Sequence, residues 1–166
     1  MKDSMAPIIL FVYNRPWHTR QTLEALSKNI LADQSRLIIY ADGPKDNATE
    51  EQLQKVREVR NLIKEKQWCR EVEVVEREKN MGVDNSVISG VTTVINKYGK
   101  IIVLEDDLVT SPGFLKYMND ALNIYEFDEA VMGISGYNFP NSGNLPKTFF
   151  IYGGTNPWGW GSWTRA

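Results

Sequence analysis

The chain has 166 residues, 42% of them hydrophobic and 24% charged, with 19 basic and 21 acidic side chains and a formal net charge of −2. That length supports one domain with one sizeable core, and the balance excludes a disordered polyelectrolyte. It also excludes the basic excess that a nucleic-acid partner normally requires.

The basic residues from Lys64 to Arg70 alternate with Glu65 and Glu71, the pattern of a solvated helix end. Cys69 is the single cysteine. It rules out an intrachain disulfide and a thiolate zinc site, and it fits a reducing cytoplasm. No segment reaches the roughly 20 apolar residues of a membrane span. The expectation is a cytoplasmic protein, at most peripheral to a membrane.

Ile8 to Tyr13 is a continuous apolar run closed by Asn14-Arg15-Pro16, which reads as a strand buried on both faces. Leu23, Leu26 and Ile30 then recur at helical spacing. Leu37 to Tyr40 is a second short strand, closed by Ala41-Asp42-Gly43-Pro44. Thr49 to Gln52 matches a capping box, and Leu53, Val56, Val59, Leu62 and Ile63 mark one face of the helix behind it.

Val72 to Val75 is a third strand, followed by the break Asn80-Met81-Gly82. Val83, Val87, Ile88, Val91, Val94 and Ile95 predict another amphipathic helix. Ile101 to Leu104 is a fourth buried strand that runs into Glu105-Asp106-Asp107. Ser111-Pro112 is a helix start with serine as cap, continued by Phe114, Leu115, Met118, Ala121, Leu122 and Tyr125. Ala130 to Ile134 and Thr148 to Tyr152 read as further strands.

Strands alternating with helices predict an α/β fold: a mostly parallel, Rossmann-like sheet with helices on both faces. Right-handed crossovers would place the strand C-terminal ends on one edge, where ligands of open sheets bind. Asn14-Arg15, Asp42, Asn80 and Glu105-Asp106-Asp107 each follow a predicted strand. Their convergence on one edge says more than any one of them.

Three consecutive carboxylates at the end of a buried strand repel one another and lose solvation. A divalent cation offsets both, and an oxygen-only set suits Mg²⁺ or Mn²⁺ better than zinc. The ordinary alternative is a solvated acidic turn. The segment Ile101 to Leu108, followed by Ser111-Pro112-Gly113-Phe114 and a helix, resembles the acidic motif of GT-A glycosyltransferases. The likeness is to the N-acetylglucosaminyltransferase I type, whose motif is also Glu-Asp-Asp, and to family-2-like bacterial glycosyltransferases. It spans the strand pattern from Ile8 to Ile134 and reaches the aromatic-glycine segment Asn156-Pro157-Trp158-Gly159-Trp160.

The resemblance implies that Asp107 is the metal ligand, that Asp106 faces the ribose or the metal shell, and that Glu105 contacts the donor sugar. It also implies that Asn14 and Arg15 lie near the nucleotide, that Asp42 meets the base, and that Asn80 and Asp84 flank the donor. Each has a plainer alternative: Arg15 as an ion-pair partner, and Asp42 and Asn80 as turn formers. The lone histidine, His18, reads as structural. Trp158 and Trp160 are either core or an acceptor-facing wall, and Gly153-Gly154 and Gly159 favour a tight site loop.

The implied activity is metal-dependent transfer of a sugar from a nucleotide-sugar donor, UDP-linked by preference, to the hydroxyl of a glycan or lipid-linked acceptor, with inversion. No residue is a convincing general base, since Asp120, Asp128 and Glu129 have the pattern of a solvated face. In the resembled family that carboxylate follows the aromatic-glycine segment, so the expectation places it beyond Ala166. Residues 1–166 then form one nucleotide-sugar-binding domain, truncated before the acceptor and catalytic-base region. The alternatives are a non-catalytic nucleotide-sugar or carbohydrate-binding module, and a sugar-phosphate nucleotidyltransferase. Against the latter, Asn14-Arg15-Pro16 has no glycine-rich phosphate loop.

Overall fold

A computed structural model of the chain describes residues 5–138 and 156–166. Strands β1 (Ile8–Val12), β2 (Arg36–Ala41), β3 (Glu71–Glu76) and β4 (Lys100–Glu105) alternate with helices α1 (Pro16–Ser27), α2 (Glu50–Ile63) and α3 (Val83–Tyr98). Helix α4 (Phe114–Ile124) and the short strands β5 (Ile134–Ser135) and β6 (Trp160–Trp163) follow. The six strands lie in the order β3-β2-β1-β4-β6-β5. Strands β1 to β4 pair in parallel, while β6 runs antiparallel to both β4 and β5. The mostly parallel α/β sheet expected from the residue pattern is the one observed.

The chain steps outward from β1 to β2 and β3, then returns to lay β4 on the other side of β1. That reversal makes the β1–β4 boundary a topological switch point, where helices part and a crevice opens. The register places Phe11 of β1 between Tyr40 of β2 and Glu105 of β4, so three strands end at one level.

Alternate residues of the buried strands feed two cores, as a two-sided sheet requires. Ile8, Leu10, Leu37, Ile39, Ile102 and Leu104 pack with α1, α2 and α4. Ile9, Phe11, Ile38, Tyr40, Ile101 and Val103 pack with α3 on the opposite face. Pro16 opens α1, where its missing N–H is no loss, and Thr49 with Gln52 forms a complete capping box on α2. Cys69 is buried, and burial pushes its thiol up to about 12, which leaves it inert.

Several local expectations give way to tertiary context. Ile30 lies beyond the end of α1 and is 55% exposed. Helix α3 packs Val87, Val91, Val94 and Ile95 on the sheet as its apolar pattern predicts, but with a slight rotation that also buries Ser86 and Gly90 and leaves Val83 and Ile88 facing solvent. The rotation is set by the aromatic pair beneath it, because a Cβ on Gly90 would stand 2.8 Å from the Phe11 ring. Helix α4 begins at Phe114 after Gly113, with no side-chain cap from Ser111. The strand expected over Ala130 to Ile134 is only Ile134–Ser135.

The aromatic-glycine segment bends through Trp158 and Gly159, where φ is 68°, and leads into a strand not expected from the sequence, in which Trp160 to Trp163 pairs with β4. A turn follows it, in which the Ala166 N–H donates to the Trp163 carbonyl at 3.1 Å. Thr148 to Tyr152 and Gly153-Gly154 lie outside the described residues. Among the described residues, no helix is long and apolar enough to cross a membrane.

Candidate functional site

The turn Asn14-Arg15-Pro16 carries the first element of the site. Proline at the first position of α1 biases Arg15 away from helical backbone, and Arg15 sits at the N-cap with φ −117° and ψ 70°. Its carbonyl accepts hydrogen bonds from the Thr19 N–H (3.0 Å) and the Thr19 hydroxyl (2.9 Å), which fixes the backbone. The side chain is left to reach across to the end of β4. There the guanidinium donates to Asp106 Oδ1 and, at 3.0 Å, to Asp107 Oδ2.

The acids of β4 have unequal surroundings. Glu105 is the last strand residue and half-buried, Asp106 tucks inward with 3% exposure, and Asp107 turns out to solvent. Burial is the main reason that the Glu105 and Asp106 carboxyls sit above the ordinary carboxylate range. For Glu105, Asp107 and Asp106 add to the rise and Arg15 opposes it. For Asp106, the Arg15 hydrogen bond is the largest opposing effect.

The sign for stability follows from linkage. A raised carboxyl binds protons more readily in the folded than in the unfolded chain. Ionisation of Glu105 and Asp106 therefore lowers stability at neutral pH. That loss is relieved as the pH falls through their folded pKa values towards the ordinary range near about 4.

Asp42 holds the opposite wall. Its nearly buried carboxylate accepts the Gly43 N–H at Oδ1 (3.0 Å), the Met81 N–H at both oxygens (3.0 and 3.2 Å) and the Gly82 N–H at Oδ2 (3.1 Å). Asn80 Nδ2 donates back to the Gly43 carbonyl at 2.9 Å. The loops after β2 and β3 are thereby joined into one unit. Gly43 is required for that join, because a Cβ there would lie 2.5 Å from the Lys79 backbone. Gly43→Ala should lower the unfolding free energy by about 1–3 kcal/mol, measured by urea titration; an unchanged midpoint would contradict the close approach.

Between these walls lies a cleft of about 310 Å³. Asn14, Arg15, Asp42, Asn80, Glu105 and Asp106 all line it. Asp107 stands at its rim through Arg15. Sequence reasoning missed the apolar part of the lining, Phe11 and Tyr40, whose rings stack at 5.6 Å, and also Lys45 and Ser86. The period-2 placement of Phe11 and Tyr40 could have revealed that they share a sheet face. Nothing in the sequence marks Asn29, yet it ties the loop after the acids to α1. Its side-chain amide donates to Thr110 Oγ1 (2.9 Å) and accepts the Leu115 N–H (3.0 Å).

Trp158 and Trp160 separate. Trp160 pairs with Val103 and packs against the α3-side core, while Trp158 is 42% exposed and meets Tyr137 edge-on at 4.8 Å. Trp158 sits in the bend two residues before β6, which runs antiparallel to β4, and so at the end of the sheet that carries Glu105. Trp163 is core, its indole N–H donating to the Leu122 carbonyl. His18 is exposed and stands outside the cleft lining. The cleft takes its carboxylates from Asp42, Glu105 and Asp106; Asp120, Asp128 and Glu129 stand outside its lining, as does the segment from β6 to Ala166. A second depression of about 440 Å³ lies between α1 and α2 and shares no lining residue with the cleft.

Residues 8–163, which include the acids at the end of β4, are matched by a family model described as glycosyl transferase family 2. The chain belongs to glycosyltransferase family 2.

The solved structures similar to this family 2 chain include TarS of S. aureus, at 16% identity and a TM-score of 0.47, covering 74% of this chain and 20% of that one. A TarS 1-349 structure gives 15% identity and a TM-score of 0.48 over 84% of this chain and 39% of that one. UDP-glucose pyrophosphorylase complexed with UDP-glucose gives 13% and 0.40, over 74% and 55%. This chain therefore spans a fifth to about half the length of those structures. No curated protein sequence matches it.

Whether the acids suit a divalent cation can be read from their donors. Asp106 and Asp107 direct one oxygen each at a single cationic group, the Arg15 guanidinium, so they already converge on positive charge. Among the described residues, no group of three or more His, Cys, Asp or Glu could hold a metal. One or two carboxylates completed by substrate phosphate oxygens is the usual arrangement for Mg²⁺, and the pair fits that class.

Proposed function

We propose that the chain forms the donor side of a divalent-metal-dependent glycosyltransferase that moves a sugar from a nucleotide sugar, UDP-linked by preference, to an acceptor hydroxyl with inversion. The observation that carries the reading is the cleft at the switch point, where Arg15, Asp42, Asn80, Glu105 and Asp106 meet in a family 2 chain.

In this reading the base enters between the Phe11–Tyr40 wall and the joined loops around Asp42, and the diphosphate lies towards Arg15. Asp107, with Asp106 behind it, would hold Mn²⁺ or Mg²⁺, which supplies Lewis-acid stabilisation of the departing diphosphate. Arg15 adds planar N–H donors to the same oxygens. Glu105, half-buried at the strand end, orients the sugar through its hydroxyls. Trp158 offers a ring face to a glycan or lipid-linked acceptor. The base that deprotonates the acceptor must stand on the far side of the sugar, so it comes from outside this donor cleft, and in this reading from a carboxylate beyond Ala166. A cytoplasmic or membrane-peripheral setting suits such a donor and the single buried thiol.

Calorimetry with UDP, GDP and CDP sugars, with and without Mn²⁺, tests the reading. The expected result is micromolar-range binding that strengthens with Mn²⁺, together with slow donor hydrolysis. Binding with no turnover, even with acceptors supplied, would support a non-catalytic binding module instead. Failure to bind any nucleotide would end the proposal.

A further inference from the structure

We infer that Arg15 is an exchangeable counter-ion: it holds the Asp106–Asp107 pair in the ligand-free protein, and it is released to the diphosphate when a divalent cation takes over that pair. The inference rests on the donor-site reading above and adds a coupling between its two ligands.

Asp106 is the constraint. Its side chain is only 5% exposed, and an ionised carboxylate in that position requires a positive partner. Among the described residues, the one cation hydrogen-bonded to it is Arg15. The guanidinium does not grip one carboxylate with both of its arms. It spans two, Nη2 on Asp106 and Nη1 on Asp107. A second cation brought to the same oxygens meets both a competitor and a like charge.

Arg15 is also built to move. Its backbone is held by Thr19, but its side chain is 44% exposed and lines the cleft into which the diphosphate would enter. Swinging the guanidinium from the acids to a phosphate unpacks no core residue. Each carboxylate then gains a cation of higher charge, and Arg15 gains a planar oxyanion that suits its fork. Neither exchange is favourable alone. Metal without diphosphate leaves Arg15 beside a like charge, and diphosphate without metal must draw Arg15 away from buried Asp106. The two ligands should therefore reinforce each other, with Arg15 as the shared element.

The test is calorimetry of Mn²⁺ alone, of UDP alone, and of Mn²⁺ on UDP-saturated protein, for the native chain, Arg15→Gln and Arg15→Lys. The native chain should bind Mn²⁺ at least about tenfold more tightly once UDP is present. Arg15→Gln should bind Mn²⁺ alone about tenfold more tightly than the native chain, and the enhancement by UDP should shrink by a similar factor. Arg15→Lys, a point charge that covers one carboxylate at a time, should fall between them.

If the native chain binds both ligands but a folded Arg15→Gln protein shows unchanged or weaker affinity for Mn²⁺ alone, the exchange is wrong and the donor-site reading survives. If the native chain binds neither, the donor-site reading falls and takes the exchange with it. A measurement without any variant guards against misfolding: the Arg15 guanidinium nitrogens, followed by NMR, should shift when Mg²⁺ and UDP are added together. Signals that stay in place under both ligands would overturn the exchange.

Discussion

Asp42→Ala should lower the unfolding free energy by about 2–4 kcal/mol, because the carboxylate holds the backbone N–H groups of Gly43, Met81 and Gly82 in a nearly buried position. For a chain of this size the melting temperature should fall by on the order of 10 °C. Alanine removes every acceptor at once and leaves those N–H groups facing the cleft. Asparagine keeps one acceptor oxygen and should recover part of the loss.

The same pair of variants separates two roles for Asp42. If it only joins the loops, nucleotide affinity should track stability through alanine and asparagine alike. If it also accepts a hydrogen bond from the base, Asp42→Asn should lose nucleotide affinity while keeping much of its stability. A melting temperature for Asp42→Ala within a degree or two of the native value would show that the loops do not depend on the carboxylate.

The double duty of Asp42 marks where sequence reading stops. An aspartate before Gly43-Pro44 is legible as a turn former, and its place after a strand is legible as a position at the ligand edge. Its bonds to Met81 and Gly82 span some 40 residues, and no local pattern encodes them. The sheet itself was legible because four apolar runs, each too short for a helix, alternate with helical periodicity and end in polar residues.

What failed to read through has one physical cause. The burial of α3 is decided by the stacked Phe11 and Tyr40 rings against Gly90, and the strand status of Trp160 to Trp163 is decided by an open edge on β4. Both are tertiary, and both override the local pattern. An ion pair was open to Arg15 from the sequence, but its partners, two acids more than 90 residues away, are fixed by the same tertiary packing.

Asp107→Ala should abolish the enhancement of nucleotide-sugar affinity by Mn²⁺, while Glu105→Gln should leave that enhancement in place. The structure motivates the contrast through the different surroundings of the two acids. Asp107 is exposed at the rim, with Oδ2 directed at the Arg15 guanidinium, so an ion arriving from solvent with a diphosphate meets it first. Glu105 ends β4 opposite Phe11 and faces the cleft at half-burial, a position suited to neutral hydroxyls. Loss of a metal ligand or its supporting partner typically costs about 10–100-fold in metal affinity or activity, well within calorimetric range. Removing Asp107 also frees one arm of Arg15 but leaves buried Asp106 paired, so the fold should survive. For Glu105→Gln, UDP-sugar affinity should drop while UDP itself binds almost as before, because only the sugar has lost a partner. Full Mn²⁺ dependence in Asp107→Ala would make Asp106 and not Asp107 the main ligand, and equal losses of UDP and UDP-sugar in Glu105→Gln would place Glu105 on the diphosphate instead of the sugar.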